Sequence, residues 1–419
     1  MLNSNKLLQG IKALTPSKKL LIAFSGGLDS YVLLHALVQA NNTAQYFHIR
    51  AIHVNHGLQK ISLQWAEQCS RISKHLNIDC EVISLQLSIP KGESLEAVAR
   101  EARYHAFKQS LQADEVLLTA QHQDDQAETL LIQLFRGAGV NGLAAMPQLS
   151  SFGKGQHLRP LLNTTRLSLE AYAKQYALDF IEDPSNQDQR FDRNYLRHEI
   201  VPRLKQRWSA VNKVLSRVAS HQAEVKHLLT EYLEQDLSLL SGKRTKTLSI
   251  VKLKALSSAR CKAVIRYFID KHLFLAPSEK KLQHIMSDVL NAKPDAVPCV
   301  HWKDAEVRRY QDDLYILAPP SEHDASQRIT WDSRDDLYLP SLKRILKVDL
   351  LSDIKVDHKE KVVFVEVRFR QGGEKIYQHH RNRTVTLKKL FQEMSIPPWE
   401  RDRIPLIYMD DKLVAIGFD

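Results

Sequence analysis

From Lys19 to about residue 180, continuous apolar runs alternate with amphipathic ones. Leu20–Phe24 is apolar throughout, and after it Tyr31, Leu34, Leu37 and Val38 recur at helical spacing. The alternation continues as strand-like FHIRAIHVNH, helical LQWAEQCSRISKHL, strand-like CEVISLQL and helical SLEAVAREARYHAFKQSLQ. Strand-like EVLLTAQ and helical DDQAETLLIQLFRG complete it. Apolar strands separated by amphipathic helices predict an α/β, doubly wound parallel sheet covered on both faces. Ligands in such sheets sit beyond the carboxyl ends of the strands.

Near residue 200 the pattern becomes helical, through EIVPRLKQRWSAVNKVLSRVASHQAEVKHLLTEYLEQDL. Polar, basic SGKRTKT reads as a turn. Two helical segments and strand-like AEVRRYQDDLYIL follow, and after PPSEHDASQ short strands dominate around one helix, TLKKLFQEM. The expected division is 1–205 for the doubly wound domain and 206–247 for a basic helical linker. It continues with 248–320 for a helical middle domain and 329–419 for a small α+β domain.

Composition narrows the function classes. A chain of 419 residues is too long for one ordinary core. No apolar run approaches the ~20 residues that span a bilayer, and the N-terminus lacks the pattern of a signal peptide. The formal net charge of +11 favours a polyanionic partner, nucleic acid first. Cys69, Cys80, Cys261 and Cys299 form no C-x-x-C, which weighs against zinc ribbons and iron–sulfur clusters and fits a reducing cytoplasm. The oligomeric state stays open, a homodimer included.

Between the first strand and its helix lies Ser25-Gly26-Gly27-Leu28-Asp29-Ser30. Glycines let backbone approach a phosphate, and the helix N-terminus supplies N–H groups and a positive dipole end. Asp29 beside an anion implies a shared cation, Mg²⁺. No G-x-x-x-x-G-K-[ST] occurs, which argues against the usual P-loop machinery. The end of the second strand carries His53 and Asn55 in AIHVNHGL. Arg100 and Arg103 are three apart on one helix face. Asp124, Asp125 and Glu128 crowd the first turn of another helix, more acid than capping needs, and could hold Mg²⁺ or an ammonium group. Asp183-Pro184-Ser185-Asn186 is a turn, followed by Arg193 and Arg197. Between Arg197 and Arg217 there are six Lys/Arg, Arg203, Lys205 and Arg207 among them, against one acid, Glu199. A second basic run holds Arg368, Arg370, Lys375, Arg381, Arg383, Lys388 and Lys389 against Glu374. Clustered charge of this kind suits RNA phosphate.

The Ser25–Ser30 string resembles the PP-loop signature of the ATP pyrophosphatases. Together with HVNHGL, AREARY, TAQHQDDQAET…RGAGVNGL and DPSN…RN-x-x-R, it resembles the tRNA(Ile)-lysidine synthetases, from Leu21 to Pro202 and again from Arg368 to Tyr408. The resemblance implies a ligase that joins free L-lysine to C2 of the wobble cytidine of tRNA(Ile) with anticodon CAU. ATP would give AMP and pyrophosphate through an adenylated cytidine. It implies ATP contacts at Ser25, Gly26, Gly27, Leu28, Asp29, Ser30, His53 and Asn55, with Mg²⁺ at Asp29. Arg100 and Arg103 would face the triphosphate or the base. Asp124, Asp125 and Glu128 would take lysine, and the basic residues above would take tRNA. Rival expectations are a PP-loop tRNA thiolase and a non-catalytic tRNA-binding protein.

Overall fold

The computed structural model describes residues 2–57, 61–88, 95–293, 296–332, 334–352, 364–378 and 382–418. The chain divides into two compact units, Met1–Leu229 and Thr230–Asp419.

The first unit is built on six strands: β1 Lys19–Ala23, β2 His48–Asn55, β3 Cys80–Ser84, β4 Glu115–Leu118, β5 Leu149–Phe152 and β6 Gly155–Leu158. Their order is β3-β2-β1-β4-β6-β5. All neighbours pair parallel except β5 with β6. The helices are α1 Ser4–Leu14, α2 Leu28–Ala44, α3 Ser62–His75, α4 Leu95–Ser110, α5 Gln123–Phe135, α6 Val140–Leu143 and α7 Arg166–Gln175.

Alternate residues of β1 serve opposite faces, as strand geometry requires. Leu20 and Ile22 pack with Leu8, Ile11, Leu34 and Leu169 of α1, α2 and α7. Leu21 packs with Phe107 and Leu111 on the other side. The sheet is thus covered twice, which explains why its central strands read as unbroken apolar runs. The short hairpin β5–β6 escaped sequence reading because its strands are four residues each and only Leu149, Phe152 and Leu158 are apolar. Gly155 allows it, since a Cβ there would run into the Glu115 carbonyl oxygen.

The chain steps outward from β1 to β3 and then returns to β4 on β1's other side. The loops after β1 and β4 therefore diverge from adjacent strand ends, the place where open α/β sheets leave a crevice.

Beyond the sheet come α8 Asp192–Tyr195, a π turn Leu196–Ile200, α9 Val201–Arg207 and α10 Val211–Leu239. Sequence periodicity reads these as one helical run. The structure interrupts it at Trp208, whose φ of −126° and ψ of 84° are not helical.

In the second unit, β7 Thr247–Ser249, β8 Cys299–Trp302, β9 Ala305–Tyr310 and β10 Asp313–Leu317 form an antiparallel sheet ordered β7-β10-β9-β8. With it go α11 Ile250–Lys254, α12 Ser258–Lys271 and α13 Glu279–His284. The segment that reads as one closing strand is a hairpin, turned at Gln311 with φ of 54°. Buried Val264, Ile265 and Ile269 of α12 meet Val307 and Leu314 of that hairpin.

The rest is strand-rich: β11 Ile329–Trp331, β12 Leu337–Leu339, β13 Arg344–Leu346, β14 Val365–Arg368, β15 Lys375–Gln378, β16 Arg383–Thr386, β17 Leu406–Met409 and β18 Lys412–Ile416. Helices α14 Leu387–Glu393 and α15 Pro398–Arg401 complete it. Among the described residues, no helix is long and apolar enough to cross a membrane.

Candidate active site

The turn after β1 is held from within. Ser30 Oγ donates to the Gly27 carbonyl at 3.0 Å and accepts from the Ser25 N–H at 3.2 Å. Ser25 Oγ and Ser30 Oγ lie 3.0 Å apart. Gly26 has φ of +81°, and a Cβ there would run into Ile181 Cδ1 and lie 2.9 Å from Cys69 Sγ. Its carbonyl accepts the Ile181 N–H at 3.0 Å. Gly27 caps α2 without a side-chain bond, so the cap residue takes up none of the first-turn N–H groups of this 17-residue helix. His53, buried at the end of β2, places Nδ1 2.9 Å from the Phe24 carbonyl. It braces the loop from beneath.

At the end of β4, His122 caps α5 in a reciprocal box. Its Nδ1 accepts the Asp124 N–H at 3.2 Å, and Asp125 Oδ2 accepts the His122 N–H at 3.0 Å. In neutral His122, an accepting Nδ1 leaves the proton on Nε2. Nε2 lies 3.4 Å from Asp125 Oδ2 and 3.7 Å from Asp29 Oδ2. One imidazole edge thus spans the phosphate-loop acid and the helix acid.

Each acid has a cationic partner. Arg166 Nη1 donates to both oxygens of Asp29, at 2.8 and 2.7 Å. Arg197 forks onto Glu128, Nε to Oε1 at 2.7 Å and Nη2 to Oε2 at 2.8 Å, and Nη2 also reaches Asp125 Oδ1 at 2.9 Å. Arg193 Nε lies 3.5 Å from Glu128, and its Nη2 donates to Thr129 Oγ1 at 2.7 Å. Lys205 and Asn212 both hold Asp124 Oδ2, at 3.0 and 2.6 Å.

Burial raises the Asp29 carboxyl more than His122 and Arg166 lower it. Burial also outweighs Arg197 at Glu128, whose side chain is only 3% exposed, and its pKa rises. At Asp125 burial is outweighed by His122, Arg197 and Arg193 together, and its pKa falls. The guanidinium of Arg197 is lowered by burial and raised further by Glu128 and Asp125. The glycine turn after β1 and an acidic half held by arginines and a lysine therefore meet at the ends of adjacent strands.

Sequence comparison agrees in extent with that arrangement. The PP-loop domain family matches residues 2–204. The TilS substrate binding domain matches residues 248–315, and the TilS substrate C-terminal domain matches 365–417. The chain is 43% identical to the tRNA(Ile)-lysidine synthase of Coxiella burnetii (strain RSA 493 / Nine Mile phase I), over 98% of this chain and 91% of that relative. It is 40% identical to that of Legionella pneumophila (strain Lens), over 95% and 90%. With that of Serratia proteamaculans (strain 568) the identity is 41%, over 99% and 94%. The chain belongs to the tRNA(Ile)-lysidine synthase family.

The structure brings the Ser25–Ser30 turn and the Asp124, Asp125 and Glu128 helix turn side by side, and gives other residues partners of their own. Asn55 is buried and uses Oδ1 to accept the Gly57 N–H at 2.9 Å, shaping its own turn. Arg103 Nε donates to His56 Nε2 at 3.1 Å. Burial, with the charges of Arg103 and His53, pushes His56 down to about 4. Arg100 is exposed and stacks 4.9 Å over the Tyr104 ring. Arg193 and Arg197, expected to face RNA, turn inward onto the acids, and Lys205, also expected to face RNA and itself exposed, reaches Asp124. They do so because α8, the π turn and α9 pack beside α5 through Leu131, Leu196 and Val201. Arg203 and Arg207 stay exposed. In the second unit Arg368 pairs with Glu366 and Asp411, and Arg370 with Asp402 at 3.0 Å. Arg383, Lys388 and Lys389 are exposed, and Arg381 lies outside the described residues.

Sequence reasoning missed His122 and Arg166 as site residues. His122 stood in the quoted TAQHQDD string and had a signal. Arg166 had none, since it lies 137 residues from Asp29. Cys69 lies under the loop, but burial pushes its thiol up to about 12, away from the thiolate form that a reactive cysteine uses.

Proposed function

We propose that the chain joins the ε-amine of lysine to C2 of the wobble cytidine of tRNA(Ile) with anticodon CAU, converting ATP to AMP and pyrophosphate. The observation that carries this reading is the His122 bridge, 3.7 Å from Asp29 and 3.4 Å from Asp125. It brings a phosphate cradle and an ammonium-binding pair of acids into one crevice.

The C2 oxygen of cytosine is a poor leaving group. In the first step it attacks the α-phosphorus of ATP, and pyrophosphate departs. In the second, the lysine nitrogen attacks C2, AMP departs with that oxygen, and the amine gives up its proton. The Ser25–Ser30 backbone and the start of α2 hold the phosphates. Arg103, bonded to His56 just past β2, and exposed Arg100 are phosphate or base contacts in this reading. Asp125 and Glu128 position the ammonium, and one of them takes the proton.

Among the described residues, no group of three His, Cys, Asp or Glu is assembled as a metal shell. Mg²⁺ commonly binds through one or two carboxylates plus phosphates and water, so an ion that arrives with the nucleotide would have Asp29 as its protein ligand once Arg166, now on both Asp29 oxygens, gives one of them up. That ion would neutralise charge on the departing pyrophosphate. Residues 1–205 form the catalytic region in this reading. Exposed Arg203, Arg207, Arg383, Lys388 and Lys389 contact tRNA phosphates.

The test is incubation with ATP, labelled lysine and unmodified tRNA(Ile) bearing CAU, beside the elongator methionine tRNA. Lysine should enter the first alone. Label in neither, with AMP release independent of lysine, would overturn the proposal. The thiolase reading predicts loss of activity in Cys69→Ala and Cys80→Ala; the reading favoured here predicts activity retained.

A further inference from the structure

The acids assigned to lysine are not vacant, and their partners come from the segment assigned to RNA. Arg197 places both arms of its fork on Glu128, at 2.7 and 2.8 Å, and reaches Asp125 at 2.9 Å. Arg193 stands behind it at 3.5 Å from Glu128. Arg197 is the second residue of the π turn Leu196–Ile200, between α8 and α9. Such widened turns are frequent at functional sites. The side chain is 35% exposed, so solvent and a polyanion can reach it, whereas Glu128 is 3% exposed and fixed in place.

An ammonium bound to Asp125 and Glu128 needs the oxygens that Arg197 already uses. Two cations on one carboxylate pair repel each other, and in a site this buried water screens them weakly. Guanidinium binds phosphate through the same planar fork it offers to carboxylate. Exposed Arg203 and Arg207 on the same segment offer further phosphate contacts.

We propose that Arg197 sets the order of substrate binding. Without RNA it occupies the place of the lysine ammonium; an RNA phosphate draws it away and leaves Asp125 and Glu128 to lysine. The inference rests on the reading that these two acids bind lysine. Linkage makes the effect reciprocal, so bound lysine tightens tRNA binding by the same factor.

The experiment is equilibrium binding of labelled lysine to the full chain with a non-hydrolysable ATP analogue, with and without unmodified CAU tRNA(Ile). Wild-type protein should bind lysine at least about tenfold more tightly with tRNA, a coupling in the usual range. Arg197→Gln should bind lysine tightly without tRNA and gain less than about threefold from adding it. Arg197→Lys, a point charge without the fork, should restore part of the tRNA dependence. Unchanged binding of the ATP analogue shows that the variants are folded. An unchanged wild-type lysine affinity on adding tRNA overturns the proposal without any variant. Weaker lysine binding by Arg197→Gln in the absence of tRNA also overturns it, because the guanidinium would then be part of the amine site. Undiminished lysine binding by Glu128→Gln, with tRNA present, would instead overturn the underlying assignment of the acids.

Discussion

The phosphate loop and the acidic cluster are two halves of one crevice, built in opposite ways. The loop is mainly local: Ser25, Gly27 and Ser30 bond one another, while Gly26, through Ile181, and Asp29, through Arg166, are tied to distant residues. The cluster is assembled from distance. Glu128 meets Arg197 across 69 residues, and Asp124 meets Asn212 across 88. A local site depends on backbone conformation; an assembled site depends on the packing of several elements. Substitutions should therefore damage the two halves differently.

The loop should be the more brittle half. Gly26→Ala combines a left-handed φ of +81° with a collision at Ile181. We expect kcat/KM for ATP to fall roughly 100-fold, about 2.7 kcal/mol of transition-state stabilisation. Steady-state kinetics would measure it, and activity within about threefold of wild type would show that the loop tolerates a Cβ.

Arg166 joins the loop's acid to the rest of the unit. Burial already raises Asp29, and Arg166 opposes that rise. Arg166→Ala should raise it further, so Asp29 becomes protonated at higher pH. The acidic limb of the pH profile of kcat/KM for ATP should shift upward, with about a tenfold loss on that limb if the shift is near one unit. An unmoved limb would separate Asp29 ionisation from catalysis.

His157, on β6, is buried, with Nε2 2.7 Å from Thr119 Oγ1 just past the end of β4. Burial, helped by the charges of Arg159 and Arg100, pushes it from 6.5 down to about 3. As pH falls, the unfolded chain takes up this proton first. The contribution of neutral His157 to stability is present above pH 6.5, declines below it, and levels off near pH 3. Thermal melting against pH should show that slope, and His157→Gln should flatten it.

The smallest effect is expected outside the crevice. Lys388→Ala should weaken tRNA binding by a few-fold and reduce the salt slope by about 0.9. An unchanged slope would remove Lys388 from the RNA surface.

What was legible in the sequence follows the same division. The Ser25–Ser30 loop could be read because its six residues carry the motif together. The parallel sheet could be read because a strand covered on both faces is apolar throughout, as Leu20–Phe24 is. The acids could be read as a cluster because Asp124, Asp125 and Glu128 share a helix turn. Their partners could not, because Arg193 and Arg197 look like any basic helix face until α8 packs on α5. Arg166 was invisible for the same reason. The hairpin β5–β6, with four residues to a strand, was too short to show a periodicity, and its need for Gly155 depends on a neighbouring strand.

The central claim is that Asp29 and Asp125, spanned by His122, belong to one site with two separable steps. Single-turnover pyrophosphate release and lysine incorporation by Asp125→Asn, measured in the same reaction with CAU tRNA(Ile), test it most directly. The account predicts pyrophosphate release within about threefold of wild type and lysine incorporation reduced at least about 100-fold, a loss of about 2.7 kcal/mol confined to the second step. Lysine incorporation at the wild-type rate would contradict it.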